Sequence, residues 1–164
     1  YSLPSFRSIL TSDMKRDLPK YISDYANEDI QFYNVTDIVE FNNKDTLTHA
    51  PYGQYIFNEI KEDKVSDSEL EQMKIKTKSQ ATNYLNKIMT INDFDIFISV
   101  DNSMAGIAAA AHFPALTIPM GYRSDGQPSN ITFIAKSKNE QLLYNIAYRY
   151  EKQSKRRVAP KKYN

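Results

Sequence analysis

The order of sequence patterns between Asp95 and Pro160 constrains the fold more than any other feature of the chain. A nearly continuous apolar run at residues 96–100 precedes a stretch of small residues at 103–112, and a second apolar run follows at 116–120. Short apolar runs are typical of strands covered on both faces. The alanine-rich stretch between them predicts a helix that can lie close to a sheet. Strand, helix and strand in this order predict a βαβ crossover between parallel strands.

A turn and a third strand follow the second apolar run. Asp125-Gly126 predicts a tight hairpin turn, because glycine adopts positive φ without steric cost. Apolar side chains then alternate along residues 130–135, as in a returning strand. Residues 137–140, Ser-Lys-Asn-Glu, have the spacing of a capping box and predict the start of a last helix. We therefore expect an α/β fold in which a small mixed sheet, made of the βαβ unit and the hairpin, is accompanied by helices.

Helical periodicity dominates the first 92 residues. Apolar side chains recur at helical spacing over residues 5–25, and Pro19 should end or kink this helix because it cannot donate a backbone hydrogen bond. The polar side chains of this segment are expected largely on the opposite face: Arg7, Ser12, Lys15, Arg16 and Lys20.

Three more helices are predicted before residue 92. Thr36 is the expected N-cap of a short one, residues 54–62 form another, and residues 66–69, Ser-Asp-Ser-Glu, are a capping box that opens a long third helix. A chain of 164 residues suits one domain. We expect a single domain over residues 1–164 whose first 92 residues are mainly helical and whose remainder is α/β.

Composition excludes several classes of function. The chain has no cysteine and two histidines, His49 and His112, so neither a disulfide framework nor a recognisable metal motif is present. No apolar run approaches the roughly 18 residues that span a bilayer, and no signal-peptide pattern opens the chain. We expect a cytoplasmic protein without metal or cofactor.

Basic residues crowd the end of the chain although the formal net charge is only +1. A small net charge argues against a dedicated nucleic-acid surface. The simplest interpretation is that these cations meet the negative end of the last helix and continue into a solvated tail. The alternative is a tail that binds RNA or phosphate. The residues concerned are Lys152, Lys155, Arg156, Arg157, Lys161 and Lys162.

Few residues match a catalytic pattern. Ser12 and Lys15 have the SxxK spacing of a nucleophile and its base, but chance matches are expected in a chain rich in serine and lysine. His112 ends the alanine-rich helix and has no serine or carboxylate partner visible in the sequence. Ser103 follows a strand and is either a helix N-cap or, with Asp101 and Asn102, part of a pocket at the strand ends.

Four segments in order resemble the C-terminal end of amidase signature hydrolases. The most specific is residues 104–121, where an alanine-rich helix leads through Phe-Pro-Ala to a strand ending in Pro-Met-Gly. His112-Phe113 departs from the family pattern, in which glycine precedes the aromatic residue. The other similar segments are residues 13–21, residues 37–42 with 52–54, and residues 126–128 with 133–136.

The resemblance implies amide hydrolysis by a serine that is activated by a second serine and a lysine, with an oxyanion hole in the same glycine- and serine-rich segment. No match to these positions occurs in this chain. The resemblance therefore implies that this chain is a C-terminal, non-catalytic segment of such a hydrolase. The residues that would shape the substrate pocket are Asp101, Asn102, Ser103, Met104 and Ala105.

The same resemblance predicts a partner. In the family, this region adds strands to a larger sheet, so the short sheet alone should have open edges and apolar faces that need cover. Either an N-terminal amidase fragment or a second copy of the chain would cover them. Two alternatives stay open: a stand-alone α/β binding or assembly module that has lost the reaction, and a subunit of an amidotransferase acting on charged tRNA.

Overall fold

The computed structural model describes Leu3 and residues 5–159 of the chain. These residues divide into two compact units, one covering residues 5–75 and the other covering Leu3 and residues 76–159. The helices are α1 (Phe6–Tyr25), α2 (Val35–Lys44), α3 (Thr46–His49), α4 (Tyr55–Glu62), α5 (Asp67–Ile91), α6 (Ala105–Ala111) and α7 (Glu140–Ser154). The strands are β1 (Ile96–Val100), β2 (Ala115–Tyr122) and β3 (Pro128–Ala135).

Polar contacts fasten α1 to the chain that follows α4. The buried Ser12 hydroxyl donates to Asp63 Oδ1 at 3.0 Å, and Lys15 Nζ donates to the carbonyls of Lys61 and Asp63 at 2.9 and 2.6 Å. Arg16 donates to the Val65 carbonyl at 2.7 Å. The expectation that the polar face of α1 lies opposite its packing face is therefore wrong, because free carbonyls at the end of α4 need donors.

Part of the apolar side of α1 is exposed, with Leu10, Met14 and Tyr21 accessible to solvent, whereas Ile9 is buried and Leu18 packs against the apolar cluster of α2 and α4. The helix also continues through Pro19 to Tyr25 instead of ending there. A proline inside a helix removes one backbone hydrogen bond.

The helix starts test the three capping predictions. Ser66 and Glu69 form the expected box, with Ser66 N donating to Glu69 Oε2 at 2.9 Å and Glu69 N to Ser66 Oγ at 3.4 Å. Thr36 is not the N-cap of α2. Asn34 is, because its Oδ1 accepts from two amides of the first turn while Asp37 accepts from the Asn34 amide.

The capping box predicted at residues 137–140 is wrong. Helix α7 begins at Glu140, so Ser137 lies three residues before the first helical residue instead of at the cap. Lys138 has a φ of 67° in the left-handed region, and Asn139 takes the N-cap position without a side-chain hydrogen bond. The Ser-x-x-Glu spacing is present, but the backbone turns before a box can close.

The sheet has the order β1-β3-β2, and β3 runs antiparallel to both neighbours. Strands β1 and β2 are parallel to each other, as the βαβ pattern predicts, and α6 connects them. They do not pair directly, because β3 lies between them. The α/β class is confirmed, whereas the expectation of a mixed sheet with hydrogen-bonded parallel strands is wrong.

Each face of the sheet has its own apolar cluster. Phe133 and Ala135 of β3 pack towards α7, whereas Ile134 between them packs towards α5 and α6. Helix α7 covers β2 and β3. Ile98 and Val100 of β1 are each 55% exposed, so the expectation that β1 is covered on both faces is wrong within this chain.

We predict that Leu85→Ala destabilises the protein by about 2–5 kcal/mol, because Leu85 is fully buried between α5 and the sheet and its truncation leaves a cavity. Leu47→Ala is the matched control, since Leu47 is 87% exposed. Chemical denaturation of the two variants measures the difference. Equal midpoints for both would contradict the packing described here.

Candidate functional site

The loop that follows β1 holds the five residues predicted to line a pocket, Asp101, Asn102, Ser103, Met104 and Ala105. The backbone turns sharply here, with Asp101 at a φ of 51° in the left-handed region. Aspartate tolerates this conformation better than most residues do. The turn carries the chain from the end of β1 into α6 within four residues.

Asp101 fastens this loop to β3 and to the hairpin between β2 and β3. Its Oδ1 accepts from Asn130 N at 2.8 Å and from Ser129 Oγ at 3.1 Å, while Oδ2 accepts from Arg123. Its own amide donates to Asn130 O at 2.7 Å. The Thr132 hydroxyl donates to the Asp101 carbonyl. One residue thus satisfies polar groups on a strand and on the hairpin.

These contacts lower the pKa of the Asp101 carboxyl below its usual value. The largest cause is the hydrogen bond from the Asn130 amide, followed among the stabilising causes by the Ser129 hydroxyl and the Arg123 charge, while desolvation acts in the opposite direction. A carboxylate that accepts such bonds is stabilised in its charged form. Asp101 is therefore an anchor in its ionised state and not a proton donor at neutral pH.

The other residues of the loop have different roles. Ser103 Oγ donates to the Val100 carbonyl at 3.0 Å, and Met104 takes the N-cap position of α6 without a side-chain bond. The N-cap role considered for Ser103 is therefore wrong, because its hydroxyl turns back to β1. Asn102 and Ser103 are exposed, whereas Met104 and Ala105 are partly buried. The exposed pair offers an amide and a hydroxyl oxygen to a ligand, and their binding role stays a prediction.

The residues that match catalytic spacings are engaged in structural contacts. Ser12 donates to Asp63, and Lys15 donates to two carbonyls, so neither is arranged as a nucleophile with its base. His112 is the C-cap of α6 at a φ of 56°, and its ring has no hydrogen-bond partner among the described residues. Between Leu3 and Ala159, these groups do not form a hydrolytic constellation.

Other functional features were tested over the same part of the chain. No group of three or more His, Cys, Asp or Glu side chains within the described residues could hold a metal ion. No described helix is both long and apolar enough to cross a bilayer. Of the basic residues at the chain end, Lys155 is the C-cap of α7, and Lys161 and Lys162 lie outside the described residues.

Several concave surfaces occur away from the predicted loop. One cleft of about 560 Å³ is lined by residues of the loop before α2 and of α2 itself, with aromatic and carboxylate side chains. A smaller apolar cleft of about 380 Å³ lies beside β1. Neither cleft includes a residue between Asp101 and Ala105.

Sequence reasoning did not identify the partners of the loop. The partners of Asp101 lie far from it along the chain, and only the strand pairing brings them together: Arg123, Ser129 and Thr132 are 22, 28 and 31 residues away.

Sequence reasoning also missed Ser99. Its hydroxyl is buried on β1 and has no hydrogen-bond partner among the described residues. A serine inside an otherwise apolar run is the signal that could have identified it.

The site and the sheet together have the fold of amidases over about a third of their length. No protein-family model matches the sequence. An amidase family protein from Bacillus anthracis has a TM-score of 0.84 and 27% identity, covering 98% of this chain and 31% of its own. The native peptide amidase from Stenotrophomonas maltophilia has a TM-score of 0.80 and 21% identity, with coverages of 94% and 34%.

A curated relative has the same partial coverage. A protein of Arabidopsis thaliana described as a probable amidase is 21% identical over 154 residues, which are 93% of this chain and 30% of that protein. The resemblance to amidases expected from the sequence is confirmed by these three proteins. The chain spans about a third of the length of each of them.

We predict that Asp101→Asn removes a stabilising contribution that depends on pH. Because the folded pKa of Asp101 is depressed, its contribution is present above the unfolded value and is lost as the pH falls through the folded value. Asparagine tolerates the left-handed backbone, so the variant keeps the turn and removes the charge together with one of the two acceptor oxygens. Denaturation midpoints between pH 2 and 7 should show wild type and variant converging at the acid end.

Asp95→Asn is the control for this comparison. Asp95 is exposed just before β1 and makes no hydrogen bond within the described residues. Its replacement should lower the denaturation midpoint at pH 7 less than Asp101→Asn does. An Asp101→Asn protein as stable as wild type at pH 7 would show that Asp101 does not anchor the loop.

Proposed function

We propose that this chain is the C-terminal, non-catalytic portion of an amidase signature hydrolase. In this proposal it scaffolds and shapes the substrate pocket of a site whose nucleophile lies outside these 164 residues. The observation that carries the proposal is the unequal coverage. Nearly the whole chain superposes on amidases, but it accounts for only about a third of each of them.

The contacts of the candidate catalytic residues support the non-catalytic role. A serine nucleophile needs a base within hydrogen-bond reach and donors for the oxyanion. Ser12 instead donates to a carboxylate, and Ser103 donates to a main-chain carbonyl. In this proposal the chain supplies no reacting group.

The anchoring of the loop supports a pocket-shaping role. Asp101 holds the turn with side-chain and main-chain bonds, and Asn102 and Ser103 project from it into solvent. Residues on a short turn at a strand end, held by a rigid scaffold, are well placed to contact a ligand. In this proposal they meet the side groups of the amide substrate.

The alternative is a stand-alone α/β binding or assembly module that has lost amidase activity. The observation in its favour is the well-packed core, since Leu85, Met89 and Ile134 are fully buried without any other chain. The coding sequence immediately upstream separates the two proposals. A serine- and glycine-rich amidase segment there supports the first, and its absence supports the second. A tRNA-directed amidotransferase subunit is a weaker alternative, favoured only by the basic chain end.

We predict that the purified chain alone hydrolyses no simple amide, and that activity appears when the polypeptide encoded immediately upstream is added. Ammonia release from short aliphatic and aromatic amides measures this. The physical reason is that the chain supplies scaffold and pocket but no nucleophile. The control is the upstream polypeptide alone. Hydrolysis by the chain alone would refute the proposal.

A further inference from the structure

The last helix presents aromatic and basic side chains on its outward face. Leu143 and Ala147 of α7 are buried against the sheet, so the opposite side of the helix faces solvent. Tyr144 and Tyr148 lie on that side and are 61% and 65% exposed. Side chains four residues apart are neighbours on one helix face. The Lys152 ammonium lies over the Tyr148 ring, 5.7 Å from its centroid.

Cations continue from this face past the end of the helix. Five exposed cations lie within residues 149–157, and we call them the C-terminal basic cluster: Arg149, Lys152, Lys155, Arg156 and Arg157. These nine residues include one carboxylate, Glu151, and therefore have a formal charge of +4. The whole chain has a net charge of +1, so the remaining residues together carry −3. The charge of the chain is thus strongly asymmetric.

The end of α7 accounts for only part of this positive charge. A helix dipole leaves roughly half an elementary charge at the C-terminus, which one or two cations compensate. Ion pairs do not account for the rest, because those formed among the described residues involve other cations. They are Arg7, Arg16, Lys20, Lys74 and Arg123. Most of the C-terminal basic cluster is therefore available to an anionic partner.

The segment that follows α7 is held against the sheet. The Tyr122 hydroxyl of β2 donates to the Val158 carbonyl at 2.9 Å. Arg156 Cδ lies 3.7 Å from the position that a Cβ of Gly121 would occupy, so the stem of this arginine runs along the strand. The Val158 side chain itself is 60% exposed. Groups that are already ordered lose less conformational entropy when they bind.

We propose that the C-terminal basic cluster, together with Tyr144, Tyr148 and Val158, binds the surface of an anionic lipid bilayer. Clusters of four to eight lysines and arginines on a helix are attracted to anionic headgroups. Tyrosine is favoured at the headgroup level, because its ring is apolar and its hydroxyl remains hydrated. This surface contact is independent of the reaction in which the chain takes part.

A bilayer fits this surface better than a nucleic acid does. Bases stack on free aromatic faces, whereas one face of the Tyr148 ring is covered by the Lys152 ammonium. The exposed Val158 side chain suits the boundary between headgroups and acyl chains and has no counterpart on a phosphate backbone. A planar bilayer also meets the basic side alone, so the negative remainder of the chain orients the protein on it.

Sedimentation of the full chain with lipid vesicles tests the proposal. We expect vesicles that contain about 30% phosphatidylserine to bind the chain at least tenfold more tightly than vesicles of phosphatidylcholine alone. Raising the salt concentration from about 0.1 M to about 1 M shortens the screening length from about 10 Å to about 3 Å and should weaken binding at least tenfold. No binding to the anionic vesicles at the lower salt, or equal binding to both kinds of vesicle, would overturn the proposal.

A pair of double variants separates the cluster from net charge. Arg156→Gln/Arg157→Gln should weaken binding to anionic vesicles at least tenfold and leave the chain folded, because both side chains are exposed. Lys78→Gln/Lys87→Gln is the matched control, since it removes the same charge from exposed positions of α5. Equal weakening by the two double variants would show that binding does not use the C-terminal basic cluster.

A tryptophan reporter locates the contact on α7. The chain has no tryptophan, so the emission of a Tyr148→Trp variant comes from that position alone. It should shift to shorter wavelength with anionic vesicles, as the indole enters the headgroup layer. Tyr52→Trp is the control, because Tyr52 is 98% exposed and belongs to the other compact unit. An equal shift in both variants, or none in Tyr148→Trp, would overturn the assignment of this face. Binding of a single-stranded oligonucleotide without binding of vesicles would assign the cluster to nucleic acid and refute the proposal.

Discussion

The hydrogen bonds of Asp101 are the constraint on which the α/β part of the structure depends. These bonds hold the end of β1 in a defined position relative to β3 and to the hairpin. The Thr132 hydroxyl, which donates to Asp101, also lies 2.8 Å from the Thr117 hydroxyl of β2. A single turn is thus linked through side chains to all three strands, and its shape is set by the sheet as a whole.

The central position of β3 explains the packing around it. Apolar clusters lie on both faces of the sheet, and β3 contributes to each of them, with Ile131, Phe133 and Ala135 on one face and Ile134 on the other. The edge strands are not equivalent. At the side of β2, the Tyr122 hydroxyl donates to the Val158 carbonyl of the segment after α7, whereas Ile98 and Val100 of β1 keep apolar side chains exposed.

Local features were predictable from the sequence, and pairings between distant segments were not. The capping box at Ser66 was correct because both partners lie within one turn of the same helix. The identical spacing at Ser137 was misleading because a left-handed Lys138 delays the helix. The crossover between β1 and β2 was correct in direction but wrong in pairing, since strand order depends on hydrogen bonds that no local pattern encodes.

The candidate loop shows the same limit. Its position after a strand and its exposed Asn102 and Ser103 follow from the order of the sequence patterns. The anchoring role of Asp101 does not, because its partners are 22 to 31 residues away. The polar face of α1 was assigned to the wrong side for a related reason. Carbonyls left free at the end of α4 attract Lys15 and Arg16, and amphipathic spacing alone cannot reveal them.

The unpaired backbone of β1 has a consequence for biosynthesis. Exposed strand edges favour aggregation while a protein is incompletely folded, and domains form in the order in which they leave the ribosome. If this segment is made as the last part of a longer polypeptide, its acceptor is already present when β1 emerges, and the vulnerable interval is short. If it is translated separately, the edge stays exposed until another chain covers it.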